Sequence, residues 1–216
     1  MITIYAYDWV PGFAKGMVRD YRVRWALEEC GLAYQVKTIS HTHKLTDEWK
    51  SKQPFCQIPV YEEGDLTLFE SGAIVQHIAE KGDILLSADP VAREQAKGWI
   101  FSALNTVEPP IAQMVATTIM YRKEDWYKGA MTAQEIMIRD RLAHLANYLN
   151  GREWLVGAFS AADLLMASVL RQLDSTDWVK SDSVLGPYQK RCLSRPAYRK
   201  AIEGQMADFT GSAPPH

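Results

Sequence analysis

Residues 57–78, QIPVYEEGDLTLFESGAIVQHI, confine the chain more tightly than any other stretch. Ile58 to Tyr61 is a short β-prone run interrupted by a proline, and Glu63-Gly64-Asp65 is a turn cluster. Leu66, Leu68 and Phe69 make a second short run, so the pair is predicted to be a β-hairpin. Ile74, Val75 and Ile78 then recur at helical spacing, and Ser71 stands where a helix N-cap belongs. Pro59 cannot donate a ladder hydrogen bond, which confines it to the first residue of a strand or to an edge. An X-Pro bond is also the one place where a cis peptide costs little. A cis bond here would leave the N–H and C=O of Ile58 open to a ligand. Ser71 would add a hydroxyl and free N–H groups at a helix N-terminus, a cradle for a carboxylate or phosphate. One short segment thus offers a strand edge for a peptide-like ligand and an anion site beside it. The plain alternative is a hairpin and a capped helix that bind nothing.

The residues before this segment read as strand, helix, strand and short helix. Ile2, Ile4 and Ala6 alternate with Thr3, Tyr5 and Tyr7, the period of a strand. After the loop Asp8 to Gly16, helical spacing runs from Val18 to Cys30 and stops at Gly31. Tyr34 to Ile39 is a second strand, and so tight a strand-helix-strand unit implies a parallel pair with a crossover. Leu45 to Lys52 is predicted to be a short helix, closed by Gln53-Pro54. The order is therefore β-α-β-α-β-β-α over residues 1–81.

Residues 82–92 read as a linker, and 93–208 as helical. Val91 to Val107 is periodic, Pro109-Pro110 should break or kink it, and Ile111 to Tyr121 resumes. Arg122 to Gly129 is charged and aromatic, a solvated loop or helix end, before a helix from Ala133 to Leu149. Ser160 and Asp163 have capping-box spacing with Asp in place of the usual Glu, and Phe159 and Leu164 make a hydrophobic staple. Short helices at Tyr188 to Leu193 and Pro196 to Met206 close the domain, and residues 209–216 form a tail of which Gly211 to His216 is expected to be disordered.

Composition excludes several classes of function. A formal net charge of −2 argues against a general binder of nucleic acid or of anionic membranes. Three cysteines, Cys30, Cys56 and Cys192, without a short paired spacing rule out a disulfide framework and a CxxC metal or redox motif. They suit a reducing compartment, so a cytoplasmic protein with no metal is expected. No apolar N-terminal leader is evident, and the uncharged stretch from Pro109 to Tyr121 is too short to span a bilayer.

The order Ile58-Pro59 … Glu70-Ser71 closely resembles the glutathione-binding half of the glutathione S-transferase family. The run Val23-Arg24-Trp25-Ala26-Leu27-Glu28-Glu29-Cys30-Gly31-Leu32-Ala33-Tyr34 is similar to that family's first helix and second strand. The resemblance implies an α/β thioredoxin-like N-terminal domain followed by an all-helical domain. It implies glutathione as co-substrate, a small apolar electrophile as second substrate, a homodimer, and a role in detoxification. Ile58 before a cis Pro59 would pair its backbone with the cysteinyl unit, and Glu70 and Ser71 would hold the γ-glutamyl end. His41, His43 and Lys44 fall where the family often places a side chain on the glycyl carboxylate, with Trp49 and Gln53 as weaker choices.

Glutathione chemistry needs a thiolate, and a thiol with an ordinary pKa of about 8.5 is mostly protonated at neutral pH. The family supplies a hydroxyl from the end of the first strand or from the following loop, or places a cysteine there. Here the loop Asp8 to Gly16 contains no Ser, Thr or Cys and is longer than usual. Tyr5 and Tyr7 share a face of the strand, and Tyr7, nearer the loop, is the candidate donor. Backbone N–H groups near Gly12 to Met17 are the alternative, with Arg19 as a nearby cation. Cys56 lies beside the Ile58-Pro59 edge, but no Lys or Arg between Gln53 and Phe69 would activate it, so a buried inert thiol is expected. Met114 and Tyr121 are possible lining for the electrophile. Two rival functions stay open: a glutathione-dependent disulfide reductase or peroxidase, and a non-catalytic glutathione-binding scaffold.

Overall fold

The computed structural model describes residues 1–214 and divides into two compact units. The first holds Met1–Leu85 together with the segment from Arg195 onward, and the second is Leu86–Ser194. The first unit therefore takes in a helix that lies beyond the expected domain boundary.

A four-stranded sheet in the order β2-β1-β3-β4 organises the first unit. Strand β1 (Ile2–Tyr7) pairs in parallel with β2 (Tyr34–Ile39), Ile2 opposite Tyr34 and Tyr7 opposite Ile39. The crossover is α1 (Asp20–Glu29), which ends before Gly31, a glycine held at φ 63. Strand β3 (Val60–Glu63) runs antiparallel to β1, and the hairpin partner β4 (Leu66–Phe69) follows it. Gly64, at φ 57, makes the turn where Glu63-Gly64-Asp65 places it. A β-branched or bulky residue would be strained there.

The helix expected from Leu45 is split. Residues His43–Leu45 form a 3-10 turn, and α2 (Asp47–Lys52) starts behind Thr46, whose Oγ1 accepts the Trp49 N–H at 3.2 Å. Helix α2 drives Trp49 into a cluster with Tyr5, Ala6, Ile39, Ile58 and Val60, against which Tyr7, Val18, Val36 and Phe69 pack. Helix α3 (Ser71–Ala79) packs against α1.

Helix α1 is buried along almost its whole length, polar residues included. Each buried charge must then find a partner. Arg24 donates to Asp20 Oδ2 at 2.8 Å and to Asp208 Oδ2 at 2.6 Å. Asp208 belongs to the terminal helix Pro196–Asp208, which packs along α1, and Trp25 meets Tyr198 edge to face at 4.9 Å.

The second unit is helical. Helix α4 (Pro90–Ser102) begins behind an Asp89 cap, as its proline at the first position favours. The break expected at Pro109-Pro110 falls earlier, as a π turn over Ala103–Val107. The two prolines instead occupy the first turn of α5 (Glu108–Met120), directly behind that π turn, where the fixed proline φ suits a helix start. Helix α6 (Tyr127–Leu149) starts six residues before the expected Ala133 and packs against α5. Helix α7 (Ala161–Leu170) is buried throughout and opens with the expected capping box. Asp163 accepts from Ser160 N–H and Oγ at 3.0 Å each, from Leu155 N–H at 2.9 Å and from the Tyr188 hydroxyl at 3.0 Å. Helix α8 (Leu185–Leu193) completes the unit, and the terminal helix is labelled α9.

The tail is not loose where it is described: the Gly211 N–H donates to Asp8 O at 2.9 Å. The tail residues Pro215 and His216 lie outside the described residues. Among the described residues no helix is long and apolar enough to cross a membrane.

Candidate functional site

The Ile58–Pro59 bond is cis, and strand pairing begins only at Val60. The Ile58 backbone thus stands outside the ladder at the head of β3, while its side chain is buried in the Trp49 cluster. Trp49 is committed to that same loop, its indole N–H reaching Gln57 O at 3.3 Å. Gln53 is likewise engaged, its Oε1 accepting the Phe55 N–H at 2.6 Å. Neither of these two weaker candidates for the glycyl end is free to turn outward without breaking the loop.

Ser71 is not the cap of α3. Glu70 holds the N-cap position, and Ser71 is the first helical residue. Glu70 is exposed with φ 70, a left-handed conformation rare for a residue with a side chain. Such outliers cluster at ligand sites, where the surrounding structure over-determines them. Ser71 is buried, and its Oγ faces Arg22 Nη1 at 3.5 Å. Arg22 was no part of the sequence-based site. Spacing does not single it out; burial does, because Arg22 sits between Tyr21 and Val23 on a helix buried along almost its whole length, where a charge must be aimed at something.

Tyr5 and Tyr7 separate by their partners. The Tyr5 hydroxyl donates to Glu62 Oε2 at 2.8 Å and receives Lys52 Nζ at 3.2 Å, so it belongs to a closed ion-pair network. Tyr7 is half-buried, stacks on His41 with ring centroids 4.5 Å apart, and lies under Lys44 Nζ at 5.6 Å. Burial pushes its phenol up to about 12, and the neighbouring Cys56 adds to the rise. Tyr7 therefore keeps its proton across the neutral and mildly alkaline range, where it can donate a hydrogen bond but not act as a base.

Of the basic residues, Lys44 reaches Tyr7, while His43 sits at the edge of Trp49 with ring centroids 5.9 Å apart. His41 is anchored by a contact of Nε2 with Trp9 O at 3.0 Å. Arg19 is exposed at the N-cap of α1. Cys56 is half-buried with φ 55, a second left-handed residue beside the cis edge. In the second unit Met114 is buried, and Tyr121 is exposed against Trp126 with ring centroids 5.2 Å apart. Among the described residues no group of His, Cys, Asp and Glu could hold a metal ion.

Residues 13–80 match the family model described as the glutathione S-transferase N-terminal domain. A glutathione S-transferase of Hyoscyamus muticus is 30% identical over 171 residues, covering 69% of this chain and 76% of that protein. Two solved structures superpose over nearly the whole chain. A Pseudomonas putida glutathione transferase with glutathione disulfide bound has a TM-score of 0.79 at 26% identity, covering 94% of this chain and 90% of its own. Glutathione transferase F7 from Populus trichocarpa has a TM-score of 0.80 at 25% identity, covering 95% and 99%. The match to one relative over three quarters of its length, and to the N-terminal family model over residues 13–80, means that the chain belongs to the glutathione S-transferase family.

Proposed function

We propose that this protein binds glutathione on its first unit, lowers the thiol pKa, and directs the thiolate at a small apolar electrophile. The observation that carries the reading is the pairing of a cis Ile58–Pro59 edge with the Glu70–Ser71 start of α3. Ile58 would hydrogen-bond the cysteinyl backbone. The helix N-terminus would receive the γ-glutamyl carboxylate through N–H groups that have no intrahelical acceptor. Glu70 would meet the ammonium of the same unit. His43 and Lys44 would hold the glycyl carboxylate. Tyr7 would donate to the sulfur, with Arg19 contributing only a solvent-screened charge. The protein's part in catalysis is then thiolate stabilisation and proximity.

Calorimetry with glutathione tests the binding site. Glu70→Ala and Ser71→Ala should each lose about 1.5–3 kcal/mol, the worth of a hydrogen bond to a charged group. Unchanged affinity in both variants refutes it. A second reading, glutathione-dependent reduction of disulfides, is favoured by the glutathione disulfide in the Pseudomonas putida relative, while the loop without Ser, Thr or Cys favours a non-catalytic scaffold. Turnover of an aryl halide supports the transferase. Turnover of hydroxyethyl disulfide alone supports the reductase, and tight binding with neither activity supports a scaffold.

A two-fold dimer is part of the same proposal. Phe55 is 68% exposed, and the helical unit has an open cleft lined by Trp99, Tyr148 and Gly98. Two-fold pairing is the commonest oligomeric arrangement, and an exposed aromatic side chain is the kind of group such an interface buries. Light scattering should give a dimer that Phe55→Ser weakens; a wild-type protein that stays monomeric at all concentrations removes the proposal.

A further inference from the structure

We propose that residues 205–211 clasp the loop between β1 and α1, with Gln205 as a positioning residue for the thiol site. The inference rests on the reading above, in which that loop and Tyr7 surround the glutathione sulfur. The clasp touches the loop at both ends. At its far end Gln205, buried in α9, donates from Nε2 to Val18 O at 2.8 Å and to Asp20 Oδ1 at 2.6 Å. Asp20 is tied on through Arg24 to Asp208, so α9 grips the start of α1 by two side chains. At the near end the Gly211 N–H donates to Asp8 O at 2.9 Å, while the Asp8 N–H is committed to Ile39 O at 3.1 Å. Between them Lys15 Nζ lies 5.7 Å from the Phe209 ring centroid.

The bonds to Val18 and Asp8 end on backbone carbonyls, so they set the path of the loop itself. Val18 packs on the same cluster as Tyr7, which carries the constraint to the site. Gly211 shows how close the fit is. A Cβ there would fall 2.8 Å from Asp8 Cγ and 3.1 Å from Asp8 O. A loop lacking hydroxyl and thiol side chains can act on a sulfur through its backbone N–H groups, and these act only if the chain is held still. An apolar α9–α1 contact would pack as well, but an amide aimed at a carbonyl fixes one register. Gln205 accepts a cost for that geometry, since its buried Oε1 has no partner among the described residues.

The test uses the full chain with two variants. Gln205→Leu removes the amide at similar volume, and Gly211→Ala pushes Asp8 from an exposed turn. Hydrogen exchange in the ligand-free protein should quicken at least tenfold for the amides of residues 9–18, with α3 unchanged. In the glutathione complex the ultraviolet titration of the bound thiol should move up by at least half a unit in each variant. Affinity for glutathione, measured well below the thiol pKa, should stay as in the wild type. A structural role alone would lower the melting temperature without moving the thiol titration. If exchange at 9–18 and the thiol titration both match the wild type in Gly211→Ala and in Gln205→Leu, the clasp is wrong. If the wild-type protein binds glutathione without shifting its thiol, the thiol-site reading fails instead, and the exchange experiment still decides whether the clasp holds the loop.

Discussion

Removing the Tyr7 hydroxyl isolates the largest chemical claim about this protein. Tyr7→Phe keeps the ring that stacks on His41 at 4.5 Å and lies under Lys44, so the fold should be undisturbed. The phenol is held near 12, against an ordinary 10.0, by burial first and by Cys56 second. Two consequences follow for the size of the effect. The hydroxyl stays protonated throughout any assay between pH 6 and pH 9, so the phenol adds no titration of its own there. A phenol of raised pKa is also a weaker donor, which places its bond to the thiolate at the low end of the about 1.5–3 kcal/mol typical of charged partners. At about 1.36 kcal/mol per unit, the pKa of bound glutathione should rise by roughly one unit. Below both pKa values the thiolate fraction, and the rate with an aryl halide, should fall about tenfold. Raising the pH should recover most of it. Thiolate absorbance followed against pH in both proteins gives the shift directly, and calorimetry at low pH checks that affinity for the thiol form is kept. If Tyr7→Phe leaves the titration and the rate where they were, Tyr7 is packing only. The backbone between Gly12 and Met17 then becomes the thiolate's holder.

Other expectations are structural. Asp163→Ala should lower stability by about 4 kcal/mol or more, because it orphans four donors, each buried group costing roughly 1–3 kcal/mol; urea unfolding with a loss under about 1 kcal/mol would overturn the assignment. Lys81 and Tyr61 hold Glu63 down to about 2 from an ordinary 4.5. A depressed carboxylate stabilises the fold above its unfolded pKa, and that contribution disappears as pH falls from 4.5 towards 2. Solvent screening of this partly exposed group limits the contribution to about 1 kcal/mol. Glu63→Gln should flatten the stability curve over that acid range and leave it parallel above pH 5; an unchanged slope would count against the pairing.

The local signals in the sequence were reliable where one residue decides. Gly31 stops α1, Gly64 turns the hairpin, and Ser160 with Asp163 opens α7, because each acts through its own backbone or the next turn. The errors came where a neighbour decides. Ser71 has the chemistry of a cap, yet Glu70 takes that place in a left-handed conformation that the helix and hairpin impose together. Tyr5 and Tyr7 share a strand face, and nearness to the loop singled out Tyr7; that Tyr5 is taken up by Lys52 and Glu62, brought in by α2 and β3, was not legible. Arg22 was passed over in favour of Arg19 because spacing alone cannot tell which arginine α3 will cover. Pro109-Pro110 looked like a break, but the helix adjusts upstream by one π turn.

The division of the chain bears on how it is made. Ribosomes deliver residues 1–85 well before 196–208, yet both belong to one compact unit. The intervening 86–194 is contiguous and has all of its own partners as soon as it emerges. During synthesis the sheet and α1 must therefore wait, with Trp25 lacking Tyr198 and the Asp20–Arg24 pair lacking Gln205 and Asp208. The helical unit should finish first, although it begins second. Nascent chains stalled just after Ser194 leaves the exit tunnel should show protease-resistant 86–194 and a still-labile α1, an order opposite to that of the coding sequence.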